Sequence, residues 1–450
     1  MLSASQKKFL GLLWTLALPI ALQNLLTCSM GVIDILMVGQ LHETAIAAVG
    51  IANQFVFMFI VIQYGIHSGV SIFTAQYWGK QDLSRIKHLS GMGILAGLMV
   101  AAVFSFVALV LPHRLMGLFS TDPEVIRLGV GYLGVVGVAF AFSAVSFSFM
   151  VNLRAMGYAN VPMICSVVAV GLNIFLNYVL IFGKLGFPEL GVTGAAIATT
   201  TAKITEALVM AGIIYGKRLP LAATFKEMFS FDTAFLRRVA TTCWPVFLNE
   251  FFWVTGISLY KLVYARLGTE SIAAVNIVAT LEEFLFIPFF GLFHGGAIMI
   301  GNSIGAGKEK TAYAYGQFLL IAQFLMAVAG GLLMILSRDM VLSFYNISPG
   351  TYENAYYLML VSGILLWTKT TNFTNIVSVL RSGGDTRFGF FLDLTGVWCI
   401  GVPLAFFGAF YLGLPVYWVM ALIAVEEFYK LGIGIPRFFS KKWIRNLVAG

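Results

Sequence analysis

Residues 245–275 read PVFLNEFFWVTGISLYKLVYARLGTESIAAV, apolar almost throughout yet holding Glu250 and Lys261. An ionisable side chain at bilayer depth costs about 3 kcal/mol or more, so it ordinarily faces a bundle interior or an aqueous cavity. The stretch has a twin at 19–49, PIALQNLLTCSMGVIDILMVGQLHETAIAAV, displaced by 226 positions. At that offset Pro19 meets Pro245, Leu22 meets Leu248, and Leu41 meets Leu267. Ile46-Ala47-Ala48-Val49 likewise meets Ile272-Ala273-Ala274-Val275. The charges do not repeat: Asn24 stands opposite Glu250, and Asp34 opposite Tyr260. The pattern is that of a duplicated membrane bundle whose halves carry different chemistry.

The repeat extends further. Gly65, Gly69 and Gly79 match Gly291, Gly295 and Gly305 at the same offset, and LRAMG (153–157) meets LRSGG (380–384) at an offset of 227. Apolar runs of about 20 residues recur along the chain, each long enough to cross the hydrocarbon. They predict an all-α integral membrane protein with twelve helices near 9–38, 44–78, 88–111, 124–150, 160–183, 190–215, 237–265, 270–303, 311–336, 353–379, 386–411 and 415–439. The expected organisation is a six-helix lobe over 1–215, a cytoplasmic linker at 216–236 and a second six-helix lobe over 237–450. Two pseudo-symmetric bundles of this kind suit a transporter whose halves rock about a shared site.

With 59% apolar and 11% charged residues and a mean hydropathy of +0.90, the chain is far from soluble composition. Its net charge of +8 raises nucleic acid as a partner, but the distribution argues against that. Segments on the side of the N-terminus hold 19 Lys and Arg, those on the other side 5. The positive-inside rule then places both termini in the cytoplasm. Cys28, Cys165, Cys243 and Cys399 all fall in apolar runs and are expected to be buried small hydrophobes.

GVIDILMVGQL (31–41), LRAMG, LRSGGDTRFGF (380–390), SIGAGKEK (303–310) and above all LNIFLNYVLIFGKLGFPELGVTGAAIAT (172–199) give the chain a family likeness. Over its whole length it resembles the multidrug and toxic compound extrusion (MATE) family of the MOP superfamily, most closely its NorM-type bacterial members. The resemblance implies a twelve-helix, two-lobe antiporter that exports cationic amphipathic drugs or dyes in exchange for H⁺ or Na⁺, with no other cofactor. Asp34 matches the family's acidic residue in helix one, and Glu250 the acidic residue of helix seven that resembles a coupling-ion ligand. Asn173 and Asn177 match the paired asparagines of helix five. One position departs: Thr370, beside Lys369, stands where NorM-type members carry an aspartate.

Depth adds candidates independently. At about 1.5 Å per residue, Glu250 lies roughly 20 Å along helix seven. Glu282 and Glu283 on helix eight and Glu426 and Glu427 on helix twelve reach a similar level. Lys430, at i+4 and i+3 from those two, can pair with them. Carboxylates that share a desolvated cavity cannot all ionise cheaply, which suits a proton carrier. Glu250, Glu283 and Glu427 are equally the oxygen donors a Na⁺ would need. The expected substrate cavity combines Asn173, Asn177, Glu282, Glu283, Phe286, Thr370, Glu426 and Lys430, with Phe284, Phe289, Phe290 and Phe293 as further aromatic lining. The same acidic pairs also suit structural ion pairs that pin helices together.

Two other functions fit less well. A lipid-linked oligosaccharide flippase of the same superfamily needs a basic cavity, whereas these midplane charges tilt acidic. A membrane transferase needs metal-binding carboxylates in its loops, and the loops carry no DxxD, HExxH or P-loop pattern. A monomer is expected, because two pseudo-symmetric lobes need no partner.

Overall fold

The computed structural model describes residues 4–449, with side chains from Phe9 onward. Among the described residues nine helices are long and apolar enough to span a membrane: Phe9–Val38, Glu43–Lys80, Leu83–Val110, Asn160–Ile181, Gly191–Gly216, Thr233–Arg266, Thr269–Gly305, Glu309–Leu336 and Thr386–Tyr411. Pro123–Val136 and Ala139–Ala155 form one further span bent by 50°. Pro349–Phe373, continued by Thr374–Leu380, and the pair Val416–Ile423 with Val425–Phe439 complete twelve. These last two fall short on composition and continuity for a physical reason. The first carries Lys369 amid threonines and asparagines, and the second breaks at Ala424 before Glu426, Glu427 and Lys430. In chain order the spans are helices one to twelve.

The duplication is visible in the turns. Helix two ends with Gln81 left-handed (φ 64°), Gln81 N–H donating to the Trp78 carbonyl and Asp82 N–H to that of Tyr77. Helix eight ends 226 residues later in the same way, with Gly307 (φ 71°) bonding to Ile304 and Lys308 to Ser303. Gly157 (φ 90°) and Gly384 (φ 87°) close LRAMG and LRSGG with the same pair of bonds. All four are Schellman ends, which need one residue in the left-handed region. Glycine meets that need without a Cβ clash at three of them.

Contacts group the chain into two compact units, Leu22–Thr241 and Met1–Ala21 together with Thr242–Gly450. The boundaries cut helix one near its middle and helix seven in its third turn, and the 216–236 connection packs as part of the first unit. In that unit a core built around Phe59, Phe104, Tyr132, Leu133 and Phe140 joins helices two, three, four and six. The connection folds onto helix three: Thr224 and Glu227 form a capping box, Lys87 reaches Glu227 at 2.7 Å, and Met228 covers Gly91. Phe235 and Arg238, from the first turns of helix seven, close on Tyr77.

In the other unit the start of helix one packs on helices eight and nine. A Cβ at Gly291 would lie 2.4 Å from the Ala17 carbonyl oxygen, so only glycine lets the two backbones approach. Phe9 sits against Tyr315 and Phe318 at 5.3 and 5.5 Å. Across helices seven to twelve a second core gathers Tyr260, Tyr264, Met334, Leu358 and Val419. Three stretches of this unit, Thr374–Leu380, Thr395–Gly401 and Phe407–Tyr411, are π-helical. Such widened turns occur mostly where a helix accommodates a functional group.

Outward faces carry exposed Leu36, Val103, Phe106, Leu325 and Phe410, the surface lipid covers. Of the cysteines expected inside, Cys165 is buried and Cys243 half-buried, whereas Cys28 and Cys399 lie on exposed helix faces.

Candidate functional site

Each unit holds its own buried polar centre. In Leu22–Thr241, Asp34 on helix one accepts a hydrogen bond from the Asn177 amide. Asn177 also donates to Asn173 (3.2 Å), whose amide faces Thr199 at 3.4 Å. Both asparagines are fully buried. The spacing of four explains why one face of helix five presents both. A second chain lies beside it: Arg154 donates to Gln23 (2.5 Å), Gln23 to Ser166 (2.8 Å), and Ser166 to Glu206 (2.9 Å). Glu206 also pairs with Lys203 at 3.1 Å, three residues away. The unit thus gives Asp34 an amide as its hydrogen-bond partner, with Lys203 near enough to attract it, and gives Glu206 that lysine as a close ion-pair partner.

The other unit centres on Lys430, which is 3% exposed. Its ammonium lies 2.9 Å from Asp393, 3.5 Å from Glu426 and 3.6 Å from Glu427. Each carboxylate has a further donor. Asn249 donates to Asp393 (2.9 Å), Tyr260 to Glu426 (2.6 Å), and Asn372 to the Glu427 carboxylate (2.7 Å). The π-helical start of the second half of helix eleven makes the room. A Cβ at Gly396 would lie 2.5 Å from Lys430 Cε, and one at Gly401 would lie 1.9 Å from Tyr260 Oη and 2.2 Å from Glu426. The two glycines let four helices converge on one ammonium.

Glu250 belongs to a separate pair, 2.6 Å from Arg381, itself 4% exposed. Arg381 comes from the repeated LR pair, and its twin Arg154 faces Gln23 instead. Glu282 pairs with Lys369 at 2.8 Å, and Lys369 also sits 5.4 Å from the Phe286 ring. Glu283 and Lys261 are exposed and join neither pair. Thr370 is buried and donates back to the Leu366 carbonyl (2.8 Å), so it supplies no charge where an aspartate stands in NorM-type members. Phe289 and Phe293 pack into an apolar cluster with Ala327 and Leu366, and Phe284 points outward. Among the described residues no three His, Cys, Asp or Glu side chains are arranged to hold a metal.

Sequence reasoning gave the helix-twelve triplet its pairing but left Asp393, Asn249 and Tyr260 out of the site. The available signal was the set Asp393, Gly396, Gly401, which places a carboxylate one turn from residues without side chains. Asn249 was hidden by its charged neighbour Glu250.

A duplicated all-helical bundle with a buried polar centre in each unit defines a membrane transporter. The chain belongs to the MatE family, whose model matches it twice, over residues 19–179 and 245–407. The two matches begin 226 residues apart, at Pro19 and Pro245. Across 447 residues the chain is 28% identical to the uncharacterized transporter YisQ of Bacillus subtilis, covering 97% of this chain and 96% of that one. It is 26% identical over 398 residues to the multidrug resistance protein MdtK of Yersinia pseudotuberculosis, covering 87% and 86%. Two solved structures share its fold at 18% identity and cover 96% of both chains. One is a MATE family multidrug resistance transporter of the MOP superfamily in an outward-facing conformation (TM-score 0.86). The other is a MOP superfamily transporter from Pyrococcus furiosus (TM-score 0.85). The protein is a MATE transporter with the twelve-helix fold, and not an enzyme.

Proposed function

We propose that this transporter exports small cationic amphipathic compounds by alternating access, in exchange for inward-moving H⁺, from an inner membrane with both termini cytoplasmic. The observation that carries this reading is the Lys430 cluster. Asp393, Glu426 and Glu427 bring three carboxylates to one ammonium. Fully ionised, they leave two negative charges unmatched, and unmatched buried charge is costly. Binding protons or a cation relieves it. An ammonium already at the centre repels a metal ion, which favours protons over Na⁺. Asp34, hydrogen-bonded to the Asn177 amide, is the corresponding group in the other unit. Glu250 is neutralised by Arg381 and acts as its partner. The relative MdtK is a multidrug resistance protein, which supports a drug-like substrate class.

Ethidium transport into inside-out vesicles tests the reading, under an imposed H⁺ or Na⁺ gradient, for native protein, Glu427→Gln, Glu250→Gln and Asp34→Asn. A pH gradient is expected to drive native transport, and Glu427→Gln to lower it at least tenfold. A sodium gradient that works alone would move the exchange to Na⁺. Native protein that moves no cationic dye under either gradient would favour a lipid-linked oligosaccharide flippase.

A further inference from the structure

Helix ten carries polar groups that neither ion pair uses. Thr371 and Asn375, at i and i+4, share one face, and Ser378 follows within the widened stretch Thr374–Leu380. Asn375 and Ser378 are wholly buried and Thr371 nearly so. Yet the Thr371 hydroxyl, both ends of the Asn375 amide and the Ser378 hydroxyl have no hydrogen-bond partner among the described residues. Asn372, beside them, donates to Glu427 but leaves its own carbonyl oxygen unpartnered. Helix nine adds Gln323, fully buried with both amide atoms unpartnered. Its position follows from the antiparallel register of the two helices. Gly331 meets Gly363, and Phe324 meets Trp367 at 5.6 Å, so Gln323 lies at the level of the turn Thr368–Thr371.

Buried groups of this kind are paired in nearly all native proteins, and each exception calls for a bound partner. Here the exceptions are consecutive. The segment is also where helix ten widens into a π-helix over Thr374–Leu380, which loosens the backbone ladder and keeps a serine hydroxyl from bonding back four residues. Glycine makes room opposite: a Cβ at Gly434 would lie 2.8 Å from the Asn375 amide nitrogen and 3.2 Å from Leu392.

The chemistry of the set selects the ligand. It contains two amide NH₂ groups as well as oxygens, and no carboxylate. A bare cation would be attracted to the oxygens and repelled by the NH₂ groups. Water both donates and accepts, and it is held where two to four polar groups converge. We propose that the set Thr371, Asn375 and Ser378, with Gln323 and Asn372, binds a file of water molecules inside this unit. The file runs from Glu427 toward the turn at Gly384 and Asp385. Resting on the exchange reading above, it serves as the route by which a proton reaches the Lys430 cluster, passing between water oxygens with only O–H bonds made and broken.

X-ray radiolysis of the full-length protein in lipid nanodiscs tests the hydration whatever the protein exports, because hydroxyl radicals form at bound water and oxidise adjacent side chains. Leu392 should be labelled at least fivefold faster than Leu366, which is equally buried but lies in the apolar phenylalanine cluster. Asn375→Leu should bring Leu392 down to the Leu366 rate. Equal rates in the native protein overturn the proposal. If Asn375→Leu fails to fold, Ser378→Val provides the same comparison. In proteoliposomes Asn375→Leu should lower pH-gradient-driven ethidium efflux about tenfold while leaving gradient-free dye counterflow unchanged. Asn375→Ser, which keeps both polarity and space, should restore it. Labelled water with undiminished efflux in Asn375→Leu removes the proton route and leaves a structural water site. Native protein inactive under either gradient removes the exchange reading, and with it the route, while the labelling result stands.

Discussion

Gly401 fixes how closely Tyr260 and Glu426 can approach helix eleven. Its substitution by alanine puts a methyl into space the tyrosine hydroxyl occupies, and the rigid ring has little freedom to retreat. Overpacking of this kind costs about 1–3 kcal/mol. Thermal unfolding in detergent should show that loss for Gly401→Ala. Gly396→Ala should cost less, because its neighbour is the flexible Lys430 stem. At Arg381 the expectation is sharper. Arg381→Ala leaves the half-buried Glu250 without its cation, a loss of about 3 kcal/mol. The double variant Arg381→Met/Glu250→Gln removes both charges and should recover most of the stability. A double variant as unstable as Arg381→Ala would show that the pair is not what holds these helices. The pairing of Lys430 with Glu426 and Glu427 was legible because it is a matter of spacing on one helix. Its shortest contact, to Asp393, was not, since that choice is made by helix eleven arriving from 37 residues away.

Helix ends offer a direct comparison, because the duplication repeats the same turn with different residues. Gln81 occupies the left-handed position that Gly307 fills in the second copy. Left-handed backbone costs a residue with a Cβ about 1–2 kcal/mol. Gly307→Ala should therefore destabilise by about that amount, whereas Gln81→Gly should be neutral or stabilising; equal effects at both turns would contradict the shared geometry. The 216–236 connection is a third element with a measurable latch. Hydrogen bonds from Lys87 and Thr224 hold the Glu227 carboxyl far below its ordinary range, at about 2. A depressed carboxylate contributes stability that is present above its ordinary pKa of 4.5 and lost as pH falls from there toward 2. Between pH 7 and 5 the latch should hold constant. At neutral pH Glu227→Gln should speed proteolytic cleavage within 216–236 several-fold over native. The connection was read from the sequence as a polar crossover, but its docking was not, since one buried methionine over one glycine leaves no periodic trace.

For the molecule as a whole, the twelve helices and the duplication were legible from hydropathy and the 226-residue offset alone. Grouping of the chain into units was not. Pattern places a boundary where polarity rises, near 216–236, whereas contacts group the first half of helix one and the first turns of helix seven each with the other copy's helices. A fragment 237–450 lacks the segment that covers Gly291 and Gly295, so expressed alone it should be degraded or trypsin-sensitive. Co-expression with 1–236 should restore resistance. A stable, resistant 237–450 fragment would show that the contact between Ala17 and Gly291 is dispensable.

That contact also sets a schedule for synthesis. Ala17 leaves the ribosome 274 residues before Gly291, the groove it fills. At about 5–20 residues per second the interval is about 14–55 s. Helix one is packed only once helix eight is made, so for that interval it must wait in lipid, exposed to chaperones and membrane proteases, for a binding partner not yet made.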